Sequence, residues 1–156
     1  VKRTSVTECR RPKIQAGSLL VSEANKVAMG QFFERVYNQG DIAFLDELTA
    51  PEFVSHDRGN PTNDREGVKQ IVGAIKAAFP DVVFTADDVI GEGDRVAARF
   101  TMRGTQTGEF MGAPPTNKPI VVTGIDIVRF EGGKAVEHWH EWSGMELLQQ
   151  LGVLGS

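Results

Sequence analysis

Three side chains of this 156-residue chain could carry out acid/base chemistry together: Asp126, His138 and His140. An imidazole exchanges a proton near neutral pH, and a carboxylate beside it fixes its tautomer and raises its proton affinity. The three lie on two stretches of alternating sequence that read as the arms of one β-hairpin, so the turn decides whether they meet. With Glu131-Gly132-Gly133 as a three-residue loop and Gly133 left-handed, Phe130 faces Lys134, Asp126 faces His138, and Gly124 faces His140. All three polar groups then share one face, with Asp126 and His140 diagonal neighbours roughly 7–8 Å apart. A two-residue Gly132-Gly133 loop would shift the register by one, set Asp126 against Trp139 with Glu137 and Glu141, and turn both histidines away. The first register is preferred, because the second gathers three carboxylates without a cation and the first brings Arg129 diagonal to Glu137.

The elements that must position this face follow from the apolar periodicity. Ser22 to Asn38 predicts a helix, with Met29, Phe32, Phe33, Val36 and Tyr37 on one stripe, stopped by Gly40. Asp41 is the expected cap of a short helix through Leu48, and Phe53-Val54 begins an extended segment after Pro51. Asp64 is the expected cap of a third helix, whose stripe Val68, Ile71, Val72, Ile75 and Phe79 ends at Pro80. The period then changes to two over Val82–Ile90, Arg95–Thr105, Ile120–Phe130 and Lys134–Trp142, which predicts four antiparallel strands. Ser143 and Glu146 have capping-box spacing at the start of a last helix through Gln150.

Helices followed by strands give an α+β class: a bent antiparallel sheet wrapped around N-terminal helices, a cone with an internal cavity. The helix-covered face carries Val122, Gly124, Asp126, Val128 and Phe130, then Val136, His138, His140 and Trp142. Ionisable groups among apolar ones on an inward face predict a pocket lining rather than a sealed core. The opposite face, with Ile125, Ile127 and Trp139 among Thr123, Arg129, Glu137 and Glu141, predicts a homodimer interface. Arg95, Arg99 and Arg103 are expected on a solvated outer face.

Composition bounds the rest. The length predicts one domain over 22–156, preceded by a solvated basic arm over 1–21 that carries Lys2, Arg3, Arg10, Arg11 and Lys13. Net charge of −4 argues against a nucleic-acid partner, and no apolar run is long enough to enter a membrane. The one cysteine, Cys9, rules out an intrachain disulfide, so a soluble, cytoplasmic protein is expected.

The chain resembles the SnoaL-like polyketide cyclases of the nuclear transport factor-like cone fold. The likeness runs from about Asn25 to Gly152 and is carried by FERVYNQG (Phe33 to Gly40), PEFVSH (Pro51 to His56), GTQTGEFMGAPPT (Gly104 to Thr116), GIDIVRF (Gly124 to Phe130), GGKAVEHW (Gly132 to Trp139) and the terminal Gln150-Leu151-Gly152. It implies a conical cavity, no cofactor, no metal, and an acid/base pair on the last two strands. In the cyclases a catalytic Asp, which aligns with His140, removes a carbon-bound proton, and a His aligns with Asp126. The two groups are thus exchanged here.

The resulting expectation is a cofactor-free enzyme of cyclase or isomerase type, acting on a hydrophobic, carbonyl-bearing small molecule. The catalytic set is His140, Asp126 and His138. His56, Tyr37, Phe110, Met111 and Trp142 are the expected substrate-binding residues, beneath a mouth loop from Gly108 to Pro119 stiffened by Pro114-Pro115. His-x-His with Asp126 also offers three metal ligands, a reading that the resemblance does not support. Two further readings stay open: a hydrolase or hydratase in which the same groups activate water, and a non-catalytic binding or interaction module on the same fold.

Overall fold

A computed structural model describes residues 16–154 of the chain. In chain order the elements are α1 (Ala16–Gln31), a π-helical continuation (Phe32–Asn38), α2 (Phe44–Leu48), β1 (Thr49–Ser55), α3 (Arg65–Ala78), β2 (Val83–Glu92), β3 (Arg95–Thr105), β4 (Pro119–Glu131), β5 (Lys134–Trp142) and α4 (Gly144–Leu151). The first helix starts at Ala16 rather than Ser22, inside the segment expected as an arm. The basic residues from Lys2 to Lys13 and Cys9 lie outside the described residues.

The five strands form one sheet in the order β1-β5-β4-β3-β2. The four predicted strands pair antiparallel in sequence, and β1 adds a fifth that runs parallel to β5, with Ser55 level with His138. Pro51 is tolerated in β1 because the strand is at the sheet edge. A bulge at Asp87 bends β2, and the Asp87 carboxylate accepts hydrogen bonds from Thr101 Oγ1 at 2.5 Å and Arg99 at 3.1 Å. The bent sheet wraps the helices, and one buried cluster joins Met29, Phe33 and Val36 to Phe84, Phe100, Val122 and Phe130.

Three expected caps and one irregular helix turn shape the local structure. The Asp41 side chain does not cap α2; it accepts two bonds from the Arg35 guanidinium, an ion pair that outcompetes the weaker cap. Ser143 makes no side-chain cap, and α4 is held at its start by Leu147 N–H donating to Ser143 O. Asp64 does cap α3, its Oδ1 accepting from Gly67 N at 3.0 Å. The π-helical stretch brings residues five apart together, so that Phe32 and Tyr37 meet edge to face at 5.2 Å and Phe32, Phe33, Val36 and Tyr37 are all buried.

Candidate active site

The β4–β5 hairpin closes through neither of the simple registers. Its turn is the two-residue Gly132-Gly133, with φ of +56° and +79°, a type I′ geometry that glycine adopts without strain. That turn alone would turn both histidines outward. Opposite Phe130 and Arg129, however, β5 carries an extra residue, Val136, in a bulge. The extra residue restores the alternation, and beyond it Asp126 pairs with His140 and Val128 with His138. The inward face is therefore as expected, with Asp126 and both histidines on it, but His140 rather than His138 stands opposite Asp126.

Both imidazoles bond one oxygen of the carboxylate. His140 Nδ1 lies 2.5 Å and His138 Nε2 3.0 Å from Asp126 Oδ1. Asp126 is 1% exposed. Burial alone would push its pKa up, but the hydrogen bonds from the two histidines hold it below the ordinary carboxylate range. Burial likewise opposes the charged form of His140, yet the hydrogen bond and charge of Asp126, with the charges of Asp57 and Glu141, raise its proton affinity. The ring of Phe100 stacks on His140 at 5.6 Å and 14°. It can do so because Phe100 pairs with Gly124, where a Cβ would stand 2.3 Å from the phenyl Cζ.

The three groups do not open into one cavity, contrary to expectation. His140 lines a cavity of about 110 Å³ walled by Tyr37, Phe84, Phe100, Val122 and Trp142, by Ile71 and Ile75 of α3, and by Phe110 and Met111. His138 lines a separate apolar void of about 20 Å³, against Met29, Phe32 and Phe130, and Asp126 is sealed between the two. The two ends of the face meet different helices: Met29 and Phe32 with Leu45 and Leu48 of α2 fill the space at His138, while α3 and Tyr37 wall a wider space at His140.

Of the expected substrate-binding residues, Tyr37, Phe110, Met111 and Trp142 line the main cavity. The Tyr37 hydroxyl makes no hydrogen bond among the described residues, and burial, with the charges of Asp126 and Asp57, keeps it protonated by raising its pKa. His56 is elsewhere. Its ring stacks on Trp139 at 4.9 Å and approaches Glu137 at 3.5 Å, on the outer face. The placement follows from alternation along β1: Ser55, its neighbour, points inward.

Sequence reasoning passed over three positions. Asp57 lines the cavity beside Gly59, whose N–H donates to its Oδ1 at 2.7 Å. Ser55 contacts His138 Nδ1 at 3.4 Å. Gln106, fully buried, organises the mouth loop: its Nε2 donates to Ala113 O and Pro114 O at 3.2 Å, and its Oε1 accepts from Thr116 N at 3.2 Å and Thr116 Oγ1 at 2.7 Å. A glutamine just ahead of the Pro114-Pro115-Thr116 loop was the available signal; Ser55 had none, since parallel pairing of distant segments leaves no local pattern.

Asp126 Oδ1, His138 Nε2 and His140 Nδ1 are mutually close enough to be metal ligands, with all three atoms within 4.8 Å. Each imidazole nitrogen already bonds the carboxylate oxygen directly, so an ion would have to displace both hydrogen bonds in a sealed site. The arrangement suits proton transfer better. His140 Nδ1–H donates to a buried anion, which leaves Nε2 as the nitrogen able to accept a second proton, on a ring that lines the cavity.

A family model for SnoaL-like polyketide cyclases matches residues 27–151. Nogalonic acid methyl ester cyclase of Streptomyces nogalater is 27% identical over 126 residues, which span 74% of this chain and 89% of the cyclase. Among solved structures, TsrD of Streptomyces laurentii is 30% identical with a TM-score of 0.75, over 91% of this chain and 100% of its own. IdmH of Streptomyces antibioticus is 37% identical with a TM-score of 0.70, over 81% of this chain and 96% of its own. No helix among the described residues is long and apolar enough to cross a membrane.

Proposed function

This chain belongs to the SnoaL-like polyketide cyclase family, and from that premise we propose that it is a cofactor-free cyclase or isomerase in which His140 is the general base. The observation that carries the proposal is one side chain. His140 bonds a sealed carboxylate through Nδ1 while its ring lines the main cavity.

The steps follow from the groups present. His140 Nε2 takes a proton from carbon next to a substrate carbonyl, and the electron pair moves onto the carbonyl oxygen as an enolate. Asp126 stabilises the imidazolium so formed. The Tyr37 hydroxyl, without a hydrogen-bond partner among the described residues, donates to the developing oxyanion. In a cyclisation the enolate carbon then attacks a second carbonyl of the same molecule, and the new alkoxide takes the proton back from His140. In an isomerisation the imidazolium returns the proton to a different carbon. The walls suit a hydrophobic small molecule, and about 110 Å³ is less than the roughly 150 Å³ of a cavity that takes benzene, so the enclosed space holds only the reacting end of a substrate. The rest of a larger substrate would extend past Met111 at the mouth.

Deuterium exchange tests the chemistry without knowledge of the substrate. With 1-tetralone in D2O as probe, the protein should accelerate loss of the α-proton signals in NMR, and His140→Ala should return the rate to background. Saturable tetralone binding with no accelerated exchange would favour a ligand carrier instead.

A further inference from the structure

We infer that Ser55 and Asn60 are positioning residues that hold His138 neutral, so that His140 alone carries the proton taken from substrate; this rests on the reading of His140 as base. The two histidines share Asp126 Oδ1, His140 through Nδ1 and His138 through Nε2, and that contact alone does not say which of them takes a second proton. The difference lies behind His138.

Its Nδ1 faces Ser55 Oγ at 3.4 Å. Ser55 Oγ also receives Asn60 Nδ2 at 2.8 Å and the Asp57 backbone N–H at 3.4 Å. A hydroxyl has two acceptor lone pairs and one proton. With both lone pairs facing N–H groups, the Ser55 proton must point at His138 Nδ1, which is therefore the unprotonated nitrogen. Nε2–H is then left to donate to Asp126. The chain of bonds has one direction: Asn60 to Ser55, Ser55 to His138, His138 to Asp126. A proton on His138 Nδ1 would meet an oxygen with no free lone pair, in a site where Ser55 is 1% and His138 6% exposed. Asn60 sets this direction through its amide: turned over, Oδ1, which is buried without a partner among the described residues, would accept from Ser55 and reverse the chain.

The other ionisable groups around the pair are Asp126 on β4, Asp57 after β1, Tyr37 on the π-helix and Glu141 on β5, while His56 and Glu137 pair on the outer face. Among the described residues Ser55 is the one hydrogen-bond partner of His138 Nδ1. The arm also bears on His140. A neutral N–H donor on Asp126 leaves the carboxylate its full negative charge, whereas an imidazolium at 138 would cancel it and lower the proton affinity of His140.

Nitrogen-15 NMR of the histidine rings across pH 5 to 9 tests the assignment. In the wild-type protein His138 should keep an unprotonated Nδ1 and a protonated Nε2 while His140 titrates. Asn60→Asp replaces a donor by an acceptor, so Ser55 should turn its proton to the new carboxylate and present a lone pair to His138. His138 should then take up a proton at neutral pH, and His140 should lose about tenfold in proton affinity. The acidic limb of the exchange rate should move down with it. Ser55→Thr, which keeps the hydroxyl, should behave as wild type. A proton on wild-type His138 Nδ1, or unchanged ring states in a folded Asn60→Asp protein, would overturn the inference. The wild-type spectrum decides even if the variant does not fold. Full exchange activity in His140→Ala would remove the base assignment and leave the tautomer assignment standing.

Discussion

In the proposed mechanism Asp126 acts only through the ring it holds, and this fixes the direction of the pH dependence. A raised His140 pKa means that the free base, the form that can accept a proton, is reached above the ordinary 6.5. The exchange rate per enzyme should therefore climb with pH along a limb that lies above 6.5. Asp126→Asn removes the hydrogen bond and the charge but leaves the burial, so the limb should fall and the maximum rate should drop, with the fold intact. In stability the sign is reversed. The raised value adds stability that is full below pH 6.5 and is lost as pH rises through the folded value, a dependence that His140→Ala should flatten in denaturation series. Because the two residues act as one unit, Asp126→Asn combined with His140→Ala should be little worse than His140→Ala alone. Rate losses that multiply would show two independent contributions.

At the scale of elements, the site depends on two one-residue shifts that add. The I′ turn at Gly132-Gly133 moves the hairpin register by one residue and the Val136 bulge moves it by one more, so the histidines return to the inward face while Asp126 meets His140 instead of His138. Both glycines sit at positive φ, where an L side chain costs about 1–2 kcal/mol. Gly133→Ala should lose about that much stability in chemical denaturation, while Gly132→Asn should be near neutral because Asn-Gly is a favoured I′ pair. The mouth loop has a comparable single support. Gln106→Ala removes four hydrogen bonds from a buried side chain and should speed amide exchange over residues 107–118, with a weaker apparent affinity for tetralone and little change at His140. Unchanged exchange in that segment would mean that the prolines alone hold the loop.

For the whole molecule, we propose the outer sheet face as the contact between two copies. Ile125 and Ile127 remain 50% and 37% exposed there, beside Trp139. Sedimentation should give twice the 17.0 kDa chain mass, and Ile127→Lys should give the single chain. A monomeric wild type would remove the proposal. The α+β class, the helix-covered face, the presence of Asp126, His138 and His140 on it, and the cavity positions of Tyr37, Phe110, Met111 and Trp142 were all legible from sequence. The class, the face and Tyr37 depend on local periodicity, and a period of two or 3.6 is written in neighbouring residues, whereas Phe110 and Met111 follow from their place in the apolar mouth loop ahead of Pro114-Pro115. Partners were not. Which histidine stands opposite Asp126 turned on a bulge at Val136, an apolar residue that follows the equally apolar Ala135, so that either could take the inward position. The inward reach of Ser55 and the outward turn of His56 turned on a parallel strand that joins residues more than 80 positions apart. Such pairings are chosen by the packing of the whole chain, and only the tertiary structure decided that one histidine meets the cavity while the other is sealed behind it.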